Sequence, residues 1–147
     1  MALPAVYSGV LNTLYPLTRD ANPPTLAGVS LGIVNSIPQS PHCAVYLRHF
    51  DSPDAAGSDL KRTDWEVVLH VSVECSPDFA AAETRLSELV QTLRGVFEAH
   101  LKLGQASVTR ARVTSGDWSY GLNNGVMYRS AELLLSVVEK ESVSYAA

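Results

Sequence analysis

A single long amphipathic helix constrains this chain more than any other feature. From residue 77 to about residue 103, Phe79, Leu86, Leu89, Val90, Leu93, Val96, Phe97 and Leu101 recur at steps of three and four, which draws one apolar stripe down a helix. Ser76 is suited to accept an orphan amide as N-cap, Pro77 suits the first helical position, and Asp78 lies at the positive end of the dipole. At the other end Lys102 complements the dipole, Gly104 can take a left-handed cap, and Glu98 with Lys102 forms an i,i+4 pair on the solvent side. A helix of this length buries one stripe only, so the fold must supply an apolar surface to receive it.

The segment just before the helix supplies such a surface. Over residues 65 to 75, Trp65, Val67, Leu69, Val71, Val73 and Cys75 alternate with Glu66, Val68, His70, Ser72 and Glu74, the pattern of a half-buried strand. Residues 43 to 50 form a second strand, joined to it by a connection rich in Pro, Gly, Ser and charge over residues 51 to 63. After the helix, residues 106 to 114 and 126 to 139 give two more, the latter placing Met127, Ala131, Leu133, Leu135 and Val137 toward the core. Between them, residues 115 to 125 hold Gly116, Gly121 and Asn123-Asn124-Gly125, which predicts a long hairpin loop. Residues 4 to 14 carry Val6, Val10, Leu11 and Leu14 at helical spacing and predict a short helix ended by Pro16. Residues 18 to 41, with Pro23-Pro24, Gly28, Gly32, Pro38 and Pro41, are expected to be a long loop, a feature that in a compact domain signals a function or a hidden strand. The expected fold is α+β: a four-stranded antiparallel sheet in the order strand, strand, helix, strand, strand, packed against one long helix, plus a short N-terminal helix. With 147 residues it forms one domain, with flexible loops near residues 18–41, 51–63 and 115–125.

Composition narrows the function classes. Hydrophobic residues make up 46% and charged residues 18%, which excludes an intrinsically disordered chain. Eleven Lys and Arg against fifteen Asp and Glu give a net charge of −4, and the longest basic run is Lys61-Arg62, too little to clamp a phosphate backbone. The N-terminus shows no cationic leader and no window approaches ~18 consecutive apolar residues, so neither export nor a membrane partner is expected. Cys43 and Cys75 sit in strand-like runs without CxxC spacing and read as reduced core thiols.

No constellation supports catalysis. His42, Cys43, His49 and Asp51 carry ligand chemistry at spacings that no structural zinc site uses, and Cys43 and His49 on one strand would stand ~20 Å apart at ~3.3 Å per residue. His42, after Pro41, is expected to close a turn; His49 and His70 to lie on strand surfaces; His100 to border the helix stripe. His70 and Cys75 fall on opposite faces of their strand, which defeats a thiolate and base pair. Gly28-Val29-Ser30-Leu31-Gly32 lacks the Lys and Ser/Thr of a phosphate loop. Glu139 with Glu141, and Asp51 with Asp54, are expected to be solvated termini and loops. No enzyme, cofactor or metal is expected. Asp117-Trp118-Ser119-Tyr120 places two aromatics in an exposed glycine- and asparagine-rich segment, the composition of an interface. With Trp65, Asn123 and Asn124 these residues are the candidate interface.

In order and size of elements, the chain resembles the tail terminator, or tail completion, proteins of long-tailed bacteriophages. The resemblance is carried by the N-terminal helix around Leu11 to Leu14, the approach Ile37-Pro38 to Pro41-His42, and the strand from Trp65 to Val73. The helix from Phe79 to Leu103 and the final strand from Tyr128 to Glu139 complete it. It implies a virion structural protein of the tail and neck, assembled in the host cytoplasm. There it would form a homo-oligomeric, hexameric ring that caps the tail tube protein, ends tail polymerisation and joins the tail to a head–tail connector or head-closure protein. DNA would pass through the lumen without specific binding, and an acidic ring would repel its phosphates. The alternatives are another neck, head-closure or tail-tube structural protein, and a small cytoplasmic enzyme or ligand-binding α+β domain with a pocket near Cys43, His42 and His70.

Overall fold

A computed structural model of the protein describes residues 4–20, 24–33, 37, 39–52 and 60–142. Helix α1 spans Ala5–Leu14 and continues as a 3₁₀ turn, Tyr15–Thr18, in which Pro16 occupies one of the first positions. Strands β1 (Gly28–Leu31), β2 (His42–Asp51) and β3 (Leu60–Glu74) precede helix α2 (Phe79–Ala99); β4 (Val108–Asn123) and β5 (Val126–Ser142) follow it. The fold is α+β, with two helices on a mixed five-stranded sheet of order β1-β2-β3-β5-β4.

The sheet departs from expectation at both of its edges. The expected four antiparallel strands are β2, β3, β5 and β4, but a fifth, β1, pairs parallel with β2 from Gly28↔His42 to Leu31↔Val45. This is the strand hidden in the segment expected to be a loop; at four residues, with two glycines within five positions, it is too short for its alternation of Val29 and Leu31 to stand out. Residues 21–23, 34–36 and 38 of that segment lie outside the described residues. At the opposite edge, residues 115–123 belong to β4 and do not form a loop. Only Asn124 and Gly125, with φ of 52° and 80°, make the turn, the geometry of a tight two-residue hairpin whose twist matches its strands. Of the connection expected over residues 51–63, Asp51 ends β2 and residues 60–63 begin β3, while residues 53–59 lie outside the described residues.

Helix α2 begins two residues later than expected. Asp78 takes the cap, its Oδ1 accepting from the backbone amides of Ala80 at 2.9 Å and Ala81 at 3.3 Å, so Ser76 and Pro77 stay outside. The helix stops at Ala99, and tight turns carry the chain through Leu103 (φ 52°) and Gly104 (φ 67°). Leu86, Leu89, Val90, Leu93 and Phe97 are buried as the stripe requires, whereas its two ends, Phe79 and Leu101, are 54% and 47% exposed.

One sheet face carries both helices. Cys43 and Val45 of β2, Val67, Leu69, Val71 and Val73 of β3, Ala111 of β4 and Ala131, Leu133, Leu135 and Val137 of β5 form its core with Leu14, Leu26 and the α2 stripe. Gly9 of α1 lets that helix press on the turn after α2, since a Cβ there would stand 2.7 Å from the Leu103 Cβ. Tyr7 fixes α1 to β2, its hydroxyl accepting from the Leu47 amide at 2.9 Å beside an irregularity between Leu47 and His49. The other face is polar, with Tyr46, Arg48, Glu66, His70, Asp117 and Glu132 along it.

Candidate assembly surface

The β4–β5 ribbon brings the central candidate residues together. Along β4, Gly116, Trp118, Tyr120 and Leu122 share the helix-side face, and Ser115, Asp117 and Ser119 the polar one, because side chains alternate across a strand. Among the described residues β4 has a neighbour on one side only, so its outer backbone groups are a free sheet edge. Natural edges are blunted by Lys, Pro or inward charge. Between Gly116 and Asn123 this edge has none of these except Asp117.

The helix-side row is an aromatic ledge. Trp118 is 41% exposed, Tyr120 55% and Leu122 71%, and Phe79 at the start of α2 lies 6.2 Å from the Tyr120 ring. Trp118 lines a shallow groove of about 260 Å³ with Val90, Arg94, Val113 and Leu133. Gly116 makes room beside it for Leu133: a Cβ there would lie 3.0 Å from Leu133 Cδ2 and in ordinary contact, 3.4 Å, with Trp118 Cζ3. The ledge is held in place by Arg129, whose guanidinium sits 4.3 Å over the Tyr120 ring while its Nε donates to Glu83 Oε2 of α2 at 2.6 Å. That carboxylate raises the Arg129 pKa, keeping the cation fixed. A rigid, aromatic, half-exposed row is what an interface needs, since little side-chain entropy is lost on contact.

Asp117 points to the polar face, directly opposite Glu132 of β5 in the register. Like charges so placed repel. Glu132 finds relief on its other side, where His70 Nδ1 lies 3.4 Å from Oε1. The Glu132 carboxylate also acts on Tyr46: burial first, then that carboxylate, raises the Tyr46 pKa. Tyr46, Asp117 and Glu132 line an open cleft of about 440 Å³ with Arg48 and Ser115.

Asn123 and Asn124 stand at the ribbon tip, where Asn123 Oδ1 accepts from the Ile37 amide at 3.0 Å. Trp65 does not join them. It lies level with Val137, six residues along β5 from the partner of Trp118, or ~20 Å at ~3.3 Å per residue. Its ring packs 5.7 Å from Phe50, and its Nε1 donates to Glu139 Oε1 at 3.1 Å. Glu139 is 5% exposed and also accepts from Ser107 Oγ at 2.9 Å, so the expectation of a solvated Glu139 is corrected.

The histidines and cysteines are also separated. His42 does not close a turn; it opens β2, buried on the polar face, with Nε2 2.9 Å from Ser30 Oγ and Nδ1 without a partner among the described residues. Burial, then the charge of His70, lowers its pKa. Cys43 is buried in the core on the opposite face, its thiol pushed up to about 12 by burial. The pocket imagined near Cys43, His42 and His70 is therefore not assembled around all three. Cys75 is buried and free, its pKa also raised chiefly by burial. Among the described residues no group of three His, Cys, Asp or Glu is placed to hold a metal ion, and no helix is long and apolar enough to cross a membrane.

Of the residues that make up this ledge, the sequence singled out Trp118 and Tyr120 but not Phe79, Leu122, Arg129 or Glu83. Phe79 fitted the helix stripe and so read as core. Arg129 and Glu83 are 46 residues apart, and only the tertiary fold pairs them. Comparison with protein-family models and with curated proteins gave no match.

Proposed function

We propose that the protein works by assembly, as a ring-forming virion subunit of a tailed bacteriophage that caps the tail tube, ends its polymerisation and joins the tail to the head connector. The observation that carries the assembly reading is the β4 edge. Sixteen residues of strand, free on one side among the described residues, present Trp118, Tyr120 and Leu122 at 41%, 55% and 71% exposure. Exposed apolar rows along a strand edge mark a surface that another strand or partner covers. The assignment to the tail rests on the resemblance in element order, and the net charge of −4 suits a lumen that DNA crosses without being held.

The reading is tested by adding the purified protein to growing tail-tube protein and imaging in negative stain. Tubes ending in a ring of this protein, with growth arrested, support it; tubes that grow on unchanged overturn the tail assignment. A second reading, a small ligand-binding or catalytic domain, draws on the cleft of about 440 Å³ bordered by Tyr46, Arg48, Asp117 and Glu132. It requires a bound small molecule that survives purification and is lost in Glu132→Gln.

A further inference from the structure

The sheet has two free edges among the described residues, and they match. Since β1 is parallel to β2, and β2/β3, β3/β5 and β5/β4 are each antiparallel, β4 runs opposite to β1. Set side by side with the same face toward the helices, one subunit's β4 and the next subunit's β1 would therefore meet antiparallel, the easier pairing. Their levels agree as well. Followed straight across the sheet, Leu31 is level with Val45, Leu69, Leu133 and Gly116, and Val29 with Cys43, Val71, Ala131 and Trp118. Rotation about a ring axis parallel to the strands brings groups of equal level together without a slide. Leu31, 47% exposed on the helix side of its edge, would face the mouth of the groove that Trp118 lines with Val113 and Leu133.

Below Leu31, where β1 ends, β2 is itself the outermost strand among the described residues, and residues 48–51 are exposed. There Phe50, 59% exposed, is level with Ala111, and Asp51 is level with Arg110 through Asp64 and Val138. Arg110 has no ion-pair partner among the described residues. With β1 between the upper parts of the two strands, the lower parts would lie about two strand spacings, ~10 Å, apart, a gap that an Arg and an Asp side chain span together. Opposite charge, opposite direction and equal level thus occur on the two edges of one molecule, a heterologous contact that closes into a ring when the rotation allows.

We propose that copies of this chain join edge to edge, β4 of one against β1 and the lower part of β2 of the next, so that the sheet runs unbroken from subunit to subunit. The inference rests on the assembly reading above and specifies its interface. It is tested by native mass spectrometry of the wild-type protein, Arg110→Asp, Asp51→Arg and the double variant across a dilution series, with thermal melts to confirm that each folds. The expected result is a wild-type ring, a dissociation midpoint raised at least ~10-fold by each single reversal, and recovery to within ~3-fold in the double variant, as for a close charge pair. Should a single reversal unfold the chain, Arg110→Gln and Asp51→Asn replace the reversals, with coupling read as non-additive midpoints. A wild-type ring indifferent to both changes, or single losses that the double variant adds together, overturns the edge-to-edge contact and leaves assembly standing. A wild-type protein that stays monomeric at every concentration overturns both.

Discussion

Replacing Trp118 by alanine separates what the indole does inside one subunit from what it does between subunits. With 41% of the residue exposed, 59% is covered by its own chain. For a side chain of ~200 Å² that is about 120 Å² removed from water, or about 3 kcal/mol at ~25 cal/mol/Å². Alanine retains part of that burial, leaving a cost of about 2 kcal/mol. In a chain of this size about 2 kcal/mol lowers the melting temperature by roughly 4–8 °C. The uncovered share, about 80 Å², is worth about 2 kcal/mol more if a neighbouring subunit covers it, which weakens each contact roughly 30-fold. The first number is read by differential scanning calorimetry on dilute protein and the second by native mass spectrometry against concentration. A melting point that does not move would refute the packing against Leu133 and Gly116. A lowered melting point with unchanged assembly would refute the ledge as an interface.

The packing and the buried groups set four further outcomes. Gly9→Ala is expected to destabilise by about 1–2 kcal/mol, because an overpacking cost of ~1–3 kcal/mol against Leu103 outweighs a helix-propensity gain of up to ~1 kcal/mol. Gly95→Ala, with open space at its Cβ, is expected to stabilise by ~0.5–1 kcal/mol, and calorimetry showing the same sign for both would contradict the α1 contact. His42 has a pKa below its usual value near 6.5, so the unfolded chain binds its proton more readily. Its contribution is intact above about pH 6.5 and falls as the pH drops below that; melts from pH 7.5 to 5 should show a steeper loss for wild type than for His42→Asn, and equal slopes would refute it. Cys43 and Cys75, both buried, should resist an aromatic disulfide reagent at pH 8 and react only with denaturant present; prompt native labelling would refute their placement.

The sequence was legible wherever one side chain in two, or one face of a helix, had to be apolar. The residues of β2, the later part of β3, α2 and most of β5 announced themselves by period, and α1 by Val6, Val10, Leu11 and Leu14. Period fails where neither face is uniformly buried. Trp118, Tyr120 and Leu122 alternate with Asp117, Ser119, Gly121 and Asn123, but Gly116, Gly121 and Asn123-Asn124-Gly125 carry turn chemistry, and the strand is held by the register with β5 and by the Asn124-Gly125 turn. Local residues pointed to a loop, and tertiary pairing decided otherwise. The aromatic pair Trp118 and Tyr120 was visible as composition out of place, but its supports were not: Arg129 had to cross from β5, Glu83 from α2, and Phe79 had to be turned outward by a cap at Asp78. Adjacent in sequence, Asp117 and Trp118 serve opposite faces. Trp65 shared only its residue type with the ledge.

The most direct test of a protein that works through its edges is the mass and symmetry of the free, purified chain. Native mass spectrometry with class averages from negative stain should find one closed ring, six-fold in symmetry and free of bound small molecule. A particle that remains monomeric at high concentration, or one that retains a ligand in the Tyr46–Glu132 cleft, would contradict the account.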